Sequence, residues 1–151
     1  MRIVAVRDAL VPLGAGMRNA SIAFDTMTAS AVAIVTDRVV DGRPLVGYAF
    51  DSIGRYGKSG LLRERFVPRL LAAPPESLLD ADGVLDPARC VQAVMANEKP
   101  GGHGERPGAV ALIEAAVWDA VAKLAGAPLW RVLAERCATR NASPRIRVYG
   151  S

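Results

Sequence analysis

Asp41-Gly42 separates two runs rich in β-branched residues, MTASAVAIVTDR from Met27 and PLVGYAFDS from Pro44. An Asp-Gly pair between such runs is a hairpin signal, because both residues tolerate the positive φ that a tight turn needs. A link that short has no room for a crossover, so the strands it joins must be antiparallel. A third run of the same kind, RIVAVRDALVPL from Arg2, comes before them. The first fifty residues therefore predict a three-stranded antiparallel meander.

This topology excludes one nucleotide-binding reading. SIGRYGKSG (52–60) ends in Gly-Lys-Ser and stands between a strand and a helical pattern. In a phosphate-cradling loop a glycine opens the motif five positions before the Gly of Gly-Lys-Ser, and the preceding strand belongs to a parallel βαβ unit. Here Ser52 holds that position, Gly54 is out of register, and the strand before the loop completes a meander.

From Ser59 the apolar period becomes helical. Leu61, Leu62, Phe66 and Leu70 share one face, with Arg63, Glu64 and Arg69 on the other, until Pro74-Pro75 stops the pattern. Asp86-Pro87 reads as an N-cap followed by a first-turn proline, opening PARCVQAVMANE. PGAVALIEAAVWDAVAKLAG is the strongest helix, with Gly126 as its stop and Pro128 opening PLWRVLAERC. RIRVYGS alternates again as a strand (145–149), which either joins the N-terminal sheet or opens a second domain. The fold class expected is α+β, a meander followed by a helical bundle.

Composition removes several function classes. The net charge of +4 comes from arginines that are scattered along the chain, and Lys58, Lys99 and Lys123 are the only lysines. A nucleic-acid surface would concentrate its cations into a stripe with aromatic platforms, so no nucleic-acid partner is expected. No apolar run reaches membrane length, and the N-terminal run is broken by Arg7 and Asp8, unlike a signal peptide. Cys90 and Cys137 lie in helical patterns without metal-ligand spacing and read as buried, reduced side chains. The expected location is the cytoplasm.

Between two helices lies NEKPGGHGERPG (97–108), with four glycines and two prolines in twelve residues. It holds Lys99 and the single histidine, His103, beside Glu98, Glu105 and Arg106. Such a loop lets backbone approach a ligand closely, although a glycine-rich surface connector has the same composition. His103 has no Ser, Cys or Asp partner in a triad pattern. Together with Glu98 and Glu105 it makes no metal-site spacing. A lysine facing an anionic substrate is the most economical role for the loop.

The order of elements, with ALIEAAVWDAVAKLAGAPLWRVL (111–133), resembles the N-terminal capping domain of the enolase superfamily, mandelate racemase type. The residues that carry it are Glu114, Ala116, Trp118, Asp119, Lys123, Gly126, Pro128 and Leu129. MRNASIAF, GRYGKSGLLRERF and NEKPGGHGERPGAV narrow the resemblance to acid-sugar dehydratases of the tartrate dehydratase kind. It implies a capping domain over 1–143 and, over 144–151, the first strand of a (β/α) barrel that these residues do not include. It implies a lyase that removes water from a hydroxy-dicarboxylate, D-tartrate to oxaloacetate. The proton-abstracting lysine, the leaving-group histidine and the carboxylates that hold Mg2+ would all lie in the barrel. No catalytic or metal-binding residue is thus expected in this chain, which alone would be inactive. The substrate-binding residues implied are Asn19 in a first loop, Ile53, Arg55 and Tyr56 in a second, and Lys99 and His103 in the glycine-rich loop. Ile53 stands where an amide contact would be expected, and an isoleucine cannot replace its hydrogen bonds. The partners implied are the acid-sugar substrate, the barrel as domain or separate chain, and further copies of the full-length protein. The alternative is a non-catalytic remnant of the capping fold that serves as a binding or oligomerisation module.

Overall fold

The computed structural model describes residues 1–14, 16, 18–25, 27–51, 57–99, 104–139 and 142–149. The meander is present. Strands β1 (Ile3–Pro12), β2 (Thr28–Val40) and β3 (Arg43–Phe50) form one antiparallel sheet in the order β1-β2-β3. Asp41 and Gly42 both take positive φ, 51° and 75°, as the two-residue turn requires. Alternation along β2 sends Val32, Ile34 and Thr36 into the core. The β2–β3 register slips between Val35 and Val39. There the buried Thr36 hydroxyl donates to the Leu45 carbonyl at 2.9 Å and so satisfies an acceptor that the ladder misses.

Beyond the sheet, α1 (Ser59–Leu61) runs through a π-helical turn (Leu62–Phe66) into α2 (Val67–Ala72). The widened turn lies directly before Pro68, a residue that cannot donate to a helical ladder. Leu62, Phe66 and Leu70 are buried on the predicted face, and Leu61 is half-buried. Asp86 caps α3 (Pro87–Val94) through its carboxylate, which accepts from Ala88 N–H at 2.8 Å and Arg89 N–H at 3.3 Å. The longest helix, α4 (Glu105–Leu124), begins two residues before the predicted start. It ends as predicted at Gly126, with φ 61°, in a Schellman pattern: Ala127 N–H donates to Ala122 O and Gly126 N–H to Lys123 O. Helix α5 (Leu129–Arg136) follows Pro128.

Helix α4 lies across the inner face of the sheet. Gly47 meets it so closely that a Cβ there would stand 2.0 Å from Ala116 O and 2.8 Å from Ala120 Cβ. Ala109, Leu112, Ile113, Ala116, Val117 and Ala120 fill the contact. Two residues of the helix motif then cover the free edge of β3. The Asp119 carboxylate accepts from Tyr48 N–H at 2.7 Å, and Lys123 Nζ donates to Val46 O at 3.0 Å and to Asp119 at 2.6 Å. Covering an edge in this way blocks further strand pairing there.

Two expectations are corrected. The alternation over Arg145–Tyr149 gives no strand: it pairs with no described residue, and Ile146, Val148 and Tyr149 are exposed. The edge of β3 that could have received it is taken by Asp119 and Lys123. Cys90 is buried, and desolvation followed by the Asp86 charge pushes its thiol up to about 12, but Cys137 is exposed at the end of α5. Among the described residues no helix is long and apolar enough to cross a membrane.

Candidate functional site

The register decides which loops meet. Pro12 pairs with Thr28 and Ala31 with Phe50, so the end of β1, the start of β2 and the end of β3 share one edge of the sheet. Residues 13–27 and 51–58 therefore leave from the same side. Gly57 packs against β1, where a Cβ would clash with the Leu10 side chain. The glycine-rich loop is drawn to this side at its far end, because Glu105 at the start of α4 pairs with Lys58 at 3.2 Å. The described ends of these segments, at Pro12, Thr28, Asp51 and Glu105, thus lie towards one end of the sheet.

Two ion clusters hold the loop bases. In the first, Lys58 is 7% exposed and its ammonium pairs with Asp51 and Glu105. Asp51 in turn accepts from Ser30 N–H at 2.5 Å, and the Ser30 hydroxyl accepts from Lys58 N–H at 2.8 Å. Burial alone would lower the lysine's pKa, but the two carboxylates outweigh it and hold the group above its ordinary value. Gly108 makes room for the lysine stem, since a Cβ there would stand 2.6 Å from Lys58 Cε.

In the second cluster a single carboxylate faces three guanidiniums. The Glu98 side chain is 2% exposed and pairs with Arg65 and Arg69 at 2.7 Å and with Arg106 at 3.2 Å. The hydrogen bond from Arg69, then the neighbouring arginine charges, hold its pKa below the usual glutamate value. Glu98 stands near one end of the 97–108 segment and Arg106 near the other, so this cluster ties its two stems together. Three guanidiniums thus converge on one nearly buried carboxylate.

The predicted residues fall in different environments. Lys99 is exposed and makes no hydrogen bond or ion pair among the described residues, directly after the arginine cluster. Asn19 is exposed, and its side-chain oxygen accepts from Ser21 N–H at 2.9 Å and Ile22 N–H at 2.8 Å. That closes an Asx turn and leaves the amide nitrogen as the group that can face a ligand. Ile53, Arg55, Tyr56 and His103 lie outside the described residues. The sequence reading missed Lys58, Asp51 and Ser30, because the lysine belonged to a rejected motif and nothing in spacing joined it to Asp51. Among the described residues no group of three or more His, Cys, Asp or Glu side chains is gathered to hold a metal. Asp51 and Glu105 share one cation, Lys58. No protein-family model matches the chain.

Proposed function

We propose that this chain is the substrate-gripping capping domain of a lyase that eliminates water from a hydroxy-dicarboxylate, D-tartrate to oxaloacetate, with the proton chemistry on a barrel domain or partner chain. The observation that carries this reading is Lys99, exposed and with no hydrogen bond or ion pair among the described residues, directly after a carboxylate that three guanidiniums surround. A dianion is drawn to a cation more strongly than a monoanion. The described ends of the three segments lie towards one end of the sheet, which gives the dianion a place to be held, and Asn19 lies in one of those segments. In this reading residues 144–151 open the barrel, whose first strand would bury Ile146 and Val148. The carboxylates that hold Mg2+ belong to the barrel in this reading, and no metal step is assigned to this chain.

The test is a low-salt NMR titration of the chain with D-tartrate, succinate, lactate and ATP. Dicarboxylates should shift amides flanking the three loops, lactate should act more weakly, Lys99→Ala should abolish the preference, and no oxaloacetate should form. Sustained turnover by the chain alone, or equal responses to lactate and tartrate, would refute the reading. The second reading, an oligomerisation module, draws on the exposed Val11, Val39, Tyr48 and Phe50 of the sheet. It predicts concentration-dependent mass in light scattering with no loop response to any acid.

A further inference from the structure

We propose that Lys58 is a second carboxylate anchor of this site, and that Glu105 is an internal anion occupying its outer position until a ligand carboxylate displaces it. The proposal rests on the dicarboxylate reading for its substrate class and on the Lys58 geometry for everything else.

The two carboxylates on Lys58 are unlike. Asp51 is nearly buried and is fixed by the Ser30 N–H as well as by the ammonium. Glu105 stands at 3.2 Å, is 52% exposed, and has Lys58 as its only polar partner among the described residues. One partner is built in, and the other is held by a single contact that water already reaches. Glu105 is thus the solvent-facing member of the pair, while the Lys58 it touches is only 7% exposed.

The place that Glu105 fills suits an incoming anion. It is the first turn of a twenty-residue helix whose N-cap, Gly104, offers no side-chain acceptor, so the leading N–H groups add their positive field to the ammonium. Beside Asp51 and Gly108 opens a hollow of about 240 Å3 whose other lining residues are Phe50, Ala111, Leu112 and Ala115. Gly108 permits this arrangement by leaving the lysine stem its path past the helix. Lys58 also joins Asp51, just after β3, to Glu105 at the start of α4.

The experiment titrates the chain with D-tartrate, succinate and inorganic sulfate while following the Lys58 side-chain nitrogen and the loop amides by NMR. Glu105→Gln removes the competitor and should tighten D-tartrate binding by about 3- to 10-fold. Lys58→Met should weaken it by about tenfold or more. Because Lys58→Met leaves Asp51 without its cation, the half-exposed Glu105→Gln carries the test if the lysine variant does not fold. D-tartrate should move the Lys58 Nζ resonance, which a purely structural tie would leave in place. Unchanged or weaker binding by Glu105→Gln, with a still Nζ resonance, overturns the inference. If Lys99→Ala still abolishes binding in that case, the dicarboxylate reading survives alone. If sulfate binds as well as D-tartrate, needs Lys58 and ignores Lys99, the anchor stands and the dicarboxylate reading falls.

Discussion

Gly47 and Gly108 are both glycines because a neighbour comes too close for a side chain, yet the neighbours differ in kind. At Gly47 the intruding atoms are the backbone carbonyl of Ala116 and the Cβ of Ala120, both fixed in α4. At Gly108 the intruding atom is Cε of Lys58, near the end of a flexible chain. The first contact belongs to the seam between sheet and helix, which can change only by moving an element. The second belongs to the loop end, where ions can re-pair. The comparison separates a rigid body that sets position from a polar end that can respond to a ligand.

The largest effect should come from Gly47→Ala. A methyl group 2.0 Å from a backbone oxygen forces α4 off the sheet, at a cost of about 3 kcal/mol or more. Chemical denaturation should show that loss, and the Tyr48–Asp119 hydrogen bond should weaken with it. A variant as stable as the wild type would mean that the seam is not the rigid part.

Next in size is the response to pH, which should arise at the loop end and not at the apolar seam. Glu98 and Asp8 are both held below their ordinary carboxylate values in the fold, Asp8 because Arg63 and Ser59 outweigh the burial that would raise it. Stability from a lowered carboxylate is fully present above the unfolded pKa and is lost as pH falls through the folded one. Melting temperature should therefore fall steadily from about pH 4 downward. Glu98→Gln should start lower and show a shallower acid slope. Lys58 has the opposite sign: its pKa is raised, so its contribution is present below the unfolded value and disappears in strong alkali. An acid slope unaffected by Glu98→Gln would place the sensitivity elsewhere.

Gly108→Ala should do far less to stability than the same change at Gly47. Alanine gains about 1 kcal/mol of helix propensity, and the lysine stem can step aside. Stability should stay within about 1 kcal/mol of the wild type while the Lys58 Nζ resonance moves. Unfolding on the scale of Gly47→Ala would show that Lys58 is as fixed as the seam, and would remove the basis for exchange at Glu105.

The seam was legible in the sequence and the loop end only in part, for a physical reason. Strand alternation, the Asp41-Gly42 turn, the Asp86-Pro87 cap and the Gly126 stop are local signals, each readable within a few residues. The Lys58–Asp51–Glu105 contact joins residues 47 positions apart, and no spacing rule anticipates it. The glycine-rich loop was marked by its composition, but composition could not say that Glu98 gathers three arginines while Lys99 stays exposed. The alternation at 145–149 pairs with no described residue, and Asp119 and Lys123 cover the edge of β3. Those two residues also carry the family resemblance, and here their visible work is structural.

The smallest effect should be a gain, at a position where the chain contradicts its own usage. Helices α4 and α5 end in the same Schellman pattern: Ala138 N–H donates to Glu135 O and Thr139 N–H to Ala134 O, as Gly126 and Ala127 do one helix earlier. The residue in the left-handed conformation is Gly126 in one case and Ala138, with φ 48°, in the other. An alanine there carries the Cβ strain that glycine avoids, offset in part by the extra freedom of glycine in the unfolded chain. Ala138 is exposed, so its methyl group has little packing to lose. Ala138→Gly should raise stability by about 0.5 kcal/mol, measured as a small rise in denaturation midpoint with unchanged slope. A fall in midpoint would mean that the α5 end is not held in this cap in solution. The seam and the loop end should both be indifferent to the change, so identical loop-amide shifts in the two proteins are the control that keeps the effect local.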